Sequence, residues 1–352
     1  MALNLASPGI LVREVDLTIG RIDGSTGKIG GIVGPFEKGP VDVPVTITGE
    51  NEYVDQFGIP YEVDKHYETW MVGSSYLAYG GTLSVIRADD NGLKNAVGGG
   101  TSTSVKIKST DHYKELGYDE NTFDGVVVAA KNPGTWANGL RVAIIDGAAD
   151  QILSGMTGTT FNNTAVGMGV TQLVPAGTTI STATGTSTID GMFKGIVTAK
   201  DPTAGTIDVK FLSHVSDAGV ETAKEQNSVY KFSNTGFITV RNNAGAGIGT
   251  ATYTGTSDWF ESQTFVTTTA TKGGSVTETT VKWETVADKP GTSEFAAARG
   301  GRFDEVHVLV IDSKGTVTGN AGTILEKHLS LSKAKDAEFS VGSPSYWRKY
   351  LY

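Results

Sequence analysis

The sequence predicts an α+β, multi-domain protein: a small α/β inner domain, a β-rich domain carrying an all-β insertion of sandwich or barrel-like form, and an extended N-terminal arm. Three observations lead there. First, the 352 residues include 46 glycines, while hydrophobic residues reach 38% and charged residues only 19%, a balance that favours short strands and turns over long helices. Second, residues 28–92 read as strand, strand, helix, helix and strand in quick succession. Third, from about residue 150 to residue 290 charges thin out, Gly-Thr pairs recur and short alternating runs appear. The expected division is 1–27 (arm and linker), 28–92 (α/β), 93–149 with 291–352 (β-rich), and 150–290 (inserted outer β domain).

The arm reads Ala6-Ser7-Pro8-Gly9-Ile10-Leu11-Val12-Arg13-Glu14-Val15-Asp16. Pro8-Gly9 makes a turn and releases a short strand in which Ile10, Val12 and Glu14 point one way and Leu11, Arg13 and Val15 the other. Residues 17–28, polar and with Gly20, Gly24 and Gly27, form a linker. A lone strand on a tether must pair with a distant part of its own chain or with the sheet edge of another molecule.

In the α/β segment, residues 30–36 form a buried strand ending at Pro35, and residues 43–47 form a second, with Pro44 acceptable only near its start or on an edge. Residues 50–57 form a helix begun by Thr48 or Gly49 and closed by Gly58. The clearest helix is 65–79, capped by Asp64, with Tyr67, Trp70, Met71, Ser74, Leu77 and Ala78 on one face and Gly80-Gly81 ending it. Residues 83–88 follow as a strand. Further on, 105–108 and 125–131 read as strands, 132–139 as a structured turn, and 140–146 as a strand. In the insertion, 173–174, 196–198, 206–211, 229–232, 237–241 and 279–283 read as strand pieces. Residues 305–312 match 140–146 in style and in their Asp ending, so the two belong in one sheet with the insertion between them. Residues 322–331 fit either a helix or a strand, with extended structure favoured up to about Glu326.

Several chemistries are disfavoured. The net charge is −9 and no Lys/Arg cluster occurs, which argues against nucleic acid. There is no cysteine, hence no disulfide or thiolate site. His66, His112, His214, His307 and His328 fall in no metal-ligand spacing, and His307 reads as a satisfied histidine within an apolar strand. The glycines of 30–34 and 245–249 lack a complete phosphate-cradle spacing and read as turns and close packing. Asp89-Asp90 and Asp111 lack the calcium-loop pattern. Asn162-Asn163-Thr164 fits a glycosylation sequon without any secretion signal at the start. No apolar run approaches the length of a bilayer span. Trp136 reads as a plug under a loop. No catalytic, metal or cofactor-binding residue is expected.

Several blocks together resemble the contractile tail sheath family. The start, Ser7-Pro8-Gly9-Ile10-Leu11-Val12-Arg13-Glu14-Val15-Asp16, is similar to the opening of sheath proteins. Gly31-Ile32-Val33-Gly34-Pro35-Phe36-Glu37-Lys38-Gly39-Pro40-Val41 resembles the family's VGxxxKGP segment, and Glu52-Tyr53-Val54-Asp55-Gln56-Phe57-Gly58 follows as in that family. Gly80-Gly81 leading to Leu83-Ser84-Val85-Ile86-Arg87-Ala88 fits a family step from helix to strand. Asn132-Pro133-Gly134-Thr135-Trp136-Ala137-Asn138-Gly139-Leu140 resembles the NPGxWGNxL turn, with Ala137 in place of its second glycine. The resemblance covers about residues 6–146 and 303–350. It marks Gly34, Lys38, Gly39, Pro40, Asn132, Pro133, Gly134, Trp136, Asn138 and Gly139 as structural motif residues, and Pro8 to Val15 as an inter-subunit arm.

The resemblance implies a structural protein with no enzymatic activity and no cofactor. Its partners would be further copies of itself in hexameric rings and a helical sheath, a tail tube protein, and baseplate and tail terminator proteins, without nucleic acid and without direct membrane insertion. It implies a place in the virion tail, after assembly in the host cytoplasm, and a further carboxy-terminal domain after Tyr352. The competing expectation is a β-rich surface or adhesin protein that binds carbohydrate.

Overall fold

The computed structural model describes residues 29–60, 66–101, 104–118, 125–182, 185–223, 230–272 and 275–351. The arm Pro8 to Val15, the linker after it and the expected cap Asp64 lie outside the described residues. Strands account for 41% and helices for 18%, so the fold is mixed with strands dominant. The chain divides between Asn138 and Gly139 into two compact units.

The first unit is built on β1 (Ile29–Gly34), β2 (Pro44–Ile47), α1 (Glu50–Phe57), α2 (His66–Ala78) and β3 (Thr82–Arg87). The sheet order is β1-β3-β2, with β1 parallel and β2 antiparallel to β3. Pro44 opens β2, an edge strand, so its missing N–H costs no central ladder bond. At the start of α1 the Glu52 carboxylate accepts from the Thr48 N–H (2.9 Å) and hydroxyl (3.1 Å). Gly58, at φ 84°, ends the helix. Both helices cover one sheet face around Phe36, Ile47, Tyr53, Phe57, Trp70, Leu77, Leu83 and Val85. Trp70 stacks on Tyr53 with centroids 5.2 Å apart, and its indole N–H donates to the Gly58 carbonyl at 2.9 Å.

The buried face of α2 differs from the expected one. Trp70, Gly73 and Leu77 face inward, while Tyr67, Met71 and Ala78 are exposed. The reason is Tyr53: its ring occupies the space in front of Gly73, so the helix approaches α1 through its smallest residue. A Cβ at Gly73 would lie 2.4 Å from the Tyr53 hydroxyl oxygen. Gly73→Ala is therefore expected to destabilise the protein by about 1–2 kcal/mol, because overpacking outweighs the ~1 kcal/mol helix-propensity gain. Urea denaturation checks this, and a gain in stability would refute the packing.

The rest of this unit carries β4 (Val97–Gly98), α3 (Thr110–Glu115) and β5 (Val128–Ala129). Residues 105–108 are not a strand, and the strand expected over 125–131 shrinks to β5, paired only with β4. Asn95 is the cause. Its buried amide donates to the carbonyls of Ile107 (3.2 Å) and Ala130 (2.8 Å) and accepts from the Ile107 N–H (2.7 Å), so one side chain replaces a ladder.

The second unit begins with β6 (Leu140–Asp146), β7 (Gln151–Ser154), α4 (Gly158–Asn163), β8 (Gly169–Leu173), the hairpin β9 (Thr179–Thr182) and β10 (Gly185–Thr188), β11 (Met192–Asp201) and β12 (Thr206–Val215). It continues with β13 (Glu221–Ala223), β14 (Gly236–Arg241), β15 (Gly247–Tyr253), β16 (Gly255–Asp258), α5 (Trp259–Ser262), the ribbon β17 (Thr264–Lys272) and β18 (Ser275–Lys282), and α6 (Glu294–Ala297). Last come β19 (Glu305–Asp312), β20 (Thr323–Ser332), β21 (Glu338–Ser340), β22 (Ser343–Pro344) and α7 (Trp347–Tyr350). An eight-stranded sheet in the order β15-β14-β8-β11-β12-β7-β16, with β13 on β12, curls into a half barrel. Its register shifts at Lys194/Gly195, a bulge that bends the sheet. Leu153, Phe193, Phe211, Phe232, Ile238, Val240 and Tyr253 fill the inner face, and Phe161 from α4 joins them, so the insertion is not wholly β. Phe232 is buried in irregular chain where a strand was expected.

Outside the half barrel, β6 and β19 pair antiparallel from Leu140 opposite Asp312 to Asp146 opposite Val306, the pairing their matched sequences predict. β20 flanks β19 and runs to Ser332, past the expected stop near Glu326. His307 is buried in β19: its Nε2 donates to the Asp288 carbonyl (2.9 Å) and its Nδ1 accepts from the Ser330 N–H (2.9 Å). Both ring nitrogens are used, and Ser330 takes φ 53° in a β20 bulge to reach it.

Candidate functional site

In the first unit, three separated sequence blocks meet on one side chain. β3 alternates Leu83, Val85 and Arg87 toward the interior, so Arg87 arrives buried at the strand end. Its Nη1 donates to the carbonyls of Gly39 (3.0 Å) and Pro133 (2.7 Å), and its Nη2 to the carbonyl of Glu37 (3.1 Å). Five N–H groups in a planar fork suit a guanidinium to hold several carbonyls at once. Burial lowers Arg87 to about 10, partly offset by the Glu37 and Asp89 carboxylates, and it stays charged at neutral pH.

The glycines make this junction possible. Gly39 has φ 101° and Gly134 φ 135°. A Cβ on Gly39 would lie 2.9 Å from the Gln56 carbonyl, and one on Gly134 2.7 Å from the Glu37 carbonyl. The Gly134 N–H donates to Lys94 O (3.0 Å) and the Lys38 N–H to Phe57 O (3.4 Å). The Glu37 carboxylate accepts from Ile59 N–H at 3.0 Å, tying the turn to the end of α1. Val41 bridges to Arg87, and Asp42, at φ 60°, donates its N–H to Arg87 O (3.0 Å).

A charged rim borders the junction. Asp89 lies 2.6 Å from Lys106 Nζ and 2.8 Å from Lys108 Nζ, and Lys108 also reaches Asp42 at 2.8 Å. Hydrogen bonds from the two lysines hold Asp89 down at about 2, and the hydrogen bonds Lys108 donates to Asp42 and Asp89 push its own pKa up. A carboxylate with a depressed folded-state pKa contributes stability above its unfolded value of about 3.9 and loses it as pH falls toward the folded value. Asp89→Asn is expected to flatten the loss of stability between about pH 4 and pH 2. Thermal melts across that range check it, and an unchanged slope would contradict the rim.

The sequence-predicted motif residues fall as follows. Gly34 faces α2, where a Cβ would meet the Thr69 methyl at 2.4 Å. Gly39 and Gly134 form the junction, Pro133 supplies its carbonyl, and Lys38, Pro40 and Asn132 are half-buried beside it. Trp136 is half-buried, and its indole N–H is buried with no hydrogen-bond partner among the described residues. Asn138 is exposed. Gly139 opens the second unit, where its carbonyl accepts from Lys314 N–H (3.2 Å) and a Cβ would meet Thr316 Oγ1 at 2.4 Å. Pro8, Gly9, Ile10, Leu11, Val12, Arg13, Glu14 and Val15 lie outside the described residues. The organising residues absent from those expectations are Arg87 and Asn95.

The second unit has two further polar clusters, one buried and one partly buried. Asp312 accepts from the N–H groups of Thr316 (2.9 Å), Val317 (2.9 Å) and Thr318 (2.8 Å). Burial acts to raise its pKa, and these donors outweigh it and hold it below the ordinary range. Lys289 Nζ lies 2.5 Å from Asp150 Oδ1, Asp150 Oδ2 accepts from Phe211 N–H (2.8 Å), and Lys210 donates to the Gly147 carbonyl beneath the Phe303 ring. This cluster ties the entry of the half barrel to its exit. Among the described residues, no group of three or more His, Cys, Asp or Glu is placed to hold a metal ion, and no helix is long and apolar enough to cross a membrane. Comparisons with protein-family models and with curated proteins find no match.

Proposed function

We propose that this chain is a structural subunit of a contractile tail sheath, which polymerises as stacked hexameric rings around an inner tube and contracts to drive the tube through the host envelope. The observation that supports this reading is the convergence on Arg87. The blocks around Lys38-Gly39-Pro40, Arg87 and Asn132-Pro133-Gly134 each resemble a sheath segment, the two outer blocks lie 46–50 residues from Arg87 in sequence, and their backbones share its guanidinium. A close-packed junction of carbonyls around an arginine offers rigidity rather than chemistry, which suits a body that transmits force.

In this reading the arm, Pro8 to Val15, adds a strand to a neighbouring copy, and the linker after it lets rings rotate while they stay joined. Such head-to-tail contact gives an open filament. Contraction repacks many copies between two arrangements, so each need contribute only a few kcal/mol. The tube, baseplate and terminator proteins are the partners, and the virion tail is the location, reached after assembly in the host cytoplasm. Deleting residues 1–20 tests the reading: tubes seen by negative-stain microscopy for the intact protein are expected to disappear, and their persistence would refute the arm's role.

A further inference from the structure

The sheet of the first unit has two edges, and they are unlike. β2 begins with Pro44, a residue that blunts an edge. β1, read Ile-Gly-Gly-Ile-Val-Gly, has no proline, no charge and no register shift, and among the described residues it pairs only with β3. A regular, uncharged edge is a template for a further strand.

Both faces beside this edge are apolar. On the face away from the helices, Ile29 is 72% and Val33 65% exposed. On the helix face, Tyr76 lies against Gly30 and Thr69 against Gly34, which sets α2 along β1. Three residues beyond each of these, Val72 on the helix is 63% exposed and Tyr79, just past its end, 93%. No charged residue occurs in β1, nor in α2 after Glu68. In a chain of net charge −9, this is a face where two copies meet without like-charge repulsion.

We infer that two copies of this chain pair through β1, edge to edge and antiparallel, about a two-fold axis at Gly31. The register follows from the pleat. Residues directly opposite in an antiparallel pair share a face, so Ile29 must meet an outward residue of the second copy. Centring on Gly31 sets Ile29 opposite Val33 of the partner subunit and Val33 opposite Ile29 of the partner subunit, two apolar cross-strand pairs made from the exposed residues of β1. The two α2 helices then flank the seam with Val72 and Tyr79. The contact is isologous and closes at two copies, whereas a filament needs head-to-tail contacts, so it goes beyond the assembly reading and is scored apart from it.

The test uses sedimentation velocity and light scattering of the full chain, over a dilution series below any concentration at which microscopy shows tubes. A dimer is expected. Ile29→Lys and Val33→Glu, both at exposed positions, are each expected to raise the dissociation constant at least tenfold, with circular dichroism melts unchanged. The double variant is expected to dimerise again, because the new cation of each copy then faces the new carboxylate of the other. A monomer at every concentration, a dimer untouched by either single change, or a double variant no tighter than the singles would overturn the inference.

Discussion

Replacing Arg87 with alanine is expected to cost about 3–5 kcal/mol, a large share of the stability of an ordinary domain. The guanidinium is buried and donates to the carbonyls of Glu37, Gly39 and Pro133. Without it those acceptors lose this donor in the interior, and a buried acceptor left without one costs about 1–3 kcal/mol. Arg87→Lys keeps the charge but offers a single ammonium, which cannot reproduce a fork spanning three carbonyls. It is expected to recover less than half of the loss. Chemical denaturation followed by Trp fluorescence measures both, and Trp70, packed in the same unit, is a suitable reporter. A loss below about 1 kcal/mol for Arg87→Ala would mean that the junction is held by its turns alone.

Phe211→Ala is the second large effect, also about 3–5 kcal/mol, and it acts in the half barrel. Phe211 is fully buried, with ring centroids 5.2 Å from Phe193, 5.6 Å from Phe232 and 5.8 Å from Tyr230. Truncation there opens a cavity bounded by rigid rings that cannot collapse to fill it. The adjacent Leu212 faces the opposite side of β12 and is 36% exposed. Leu212→Ala is accordingly expected to cost under about 1 kcal/mol. Equal losses at 211 and 212 would contradict the placement of Phe211 on the inner face of β12 and Leu212 on the outer one.

The contrast between these residues shows what was legible in sequence. The α/β unit announced itself through period: alternation in 82–87, the Gly58 stop and Pro44 at an edge. The seam of β6 and β19 was legible because two runs of like length and like Asp ending had to be joined across an inserted segment. Arg87 carried a signal, an inward position after Leu83 and Val85, yet its carbonyl partners lie in loops that no periodicity places. Asn95 carried none; one amide in a glycine-rich stretch replaces strands that local propensity favours at 105–108 and 125–131. The α2 face was misread because hydrophobic spacing cannot register that Tyr53 needs the absence of a side chain at Gly73. In each miss, a single polar group or a ring from a distant segment decided the local backbone.

Assembly is the central claim, and negative-stain electron microscopy of the purified protein tests it most directly. The account predicts open-ended tubes or stacked rings of uniform diameter that lengthen with concentration. Monomers or closed oligomers alone, at every concentration up to the solubility limit, would contradict it.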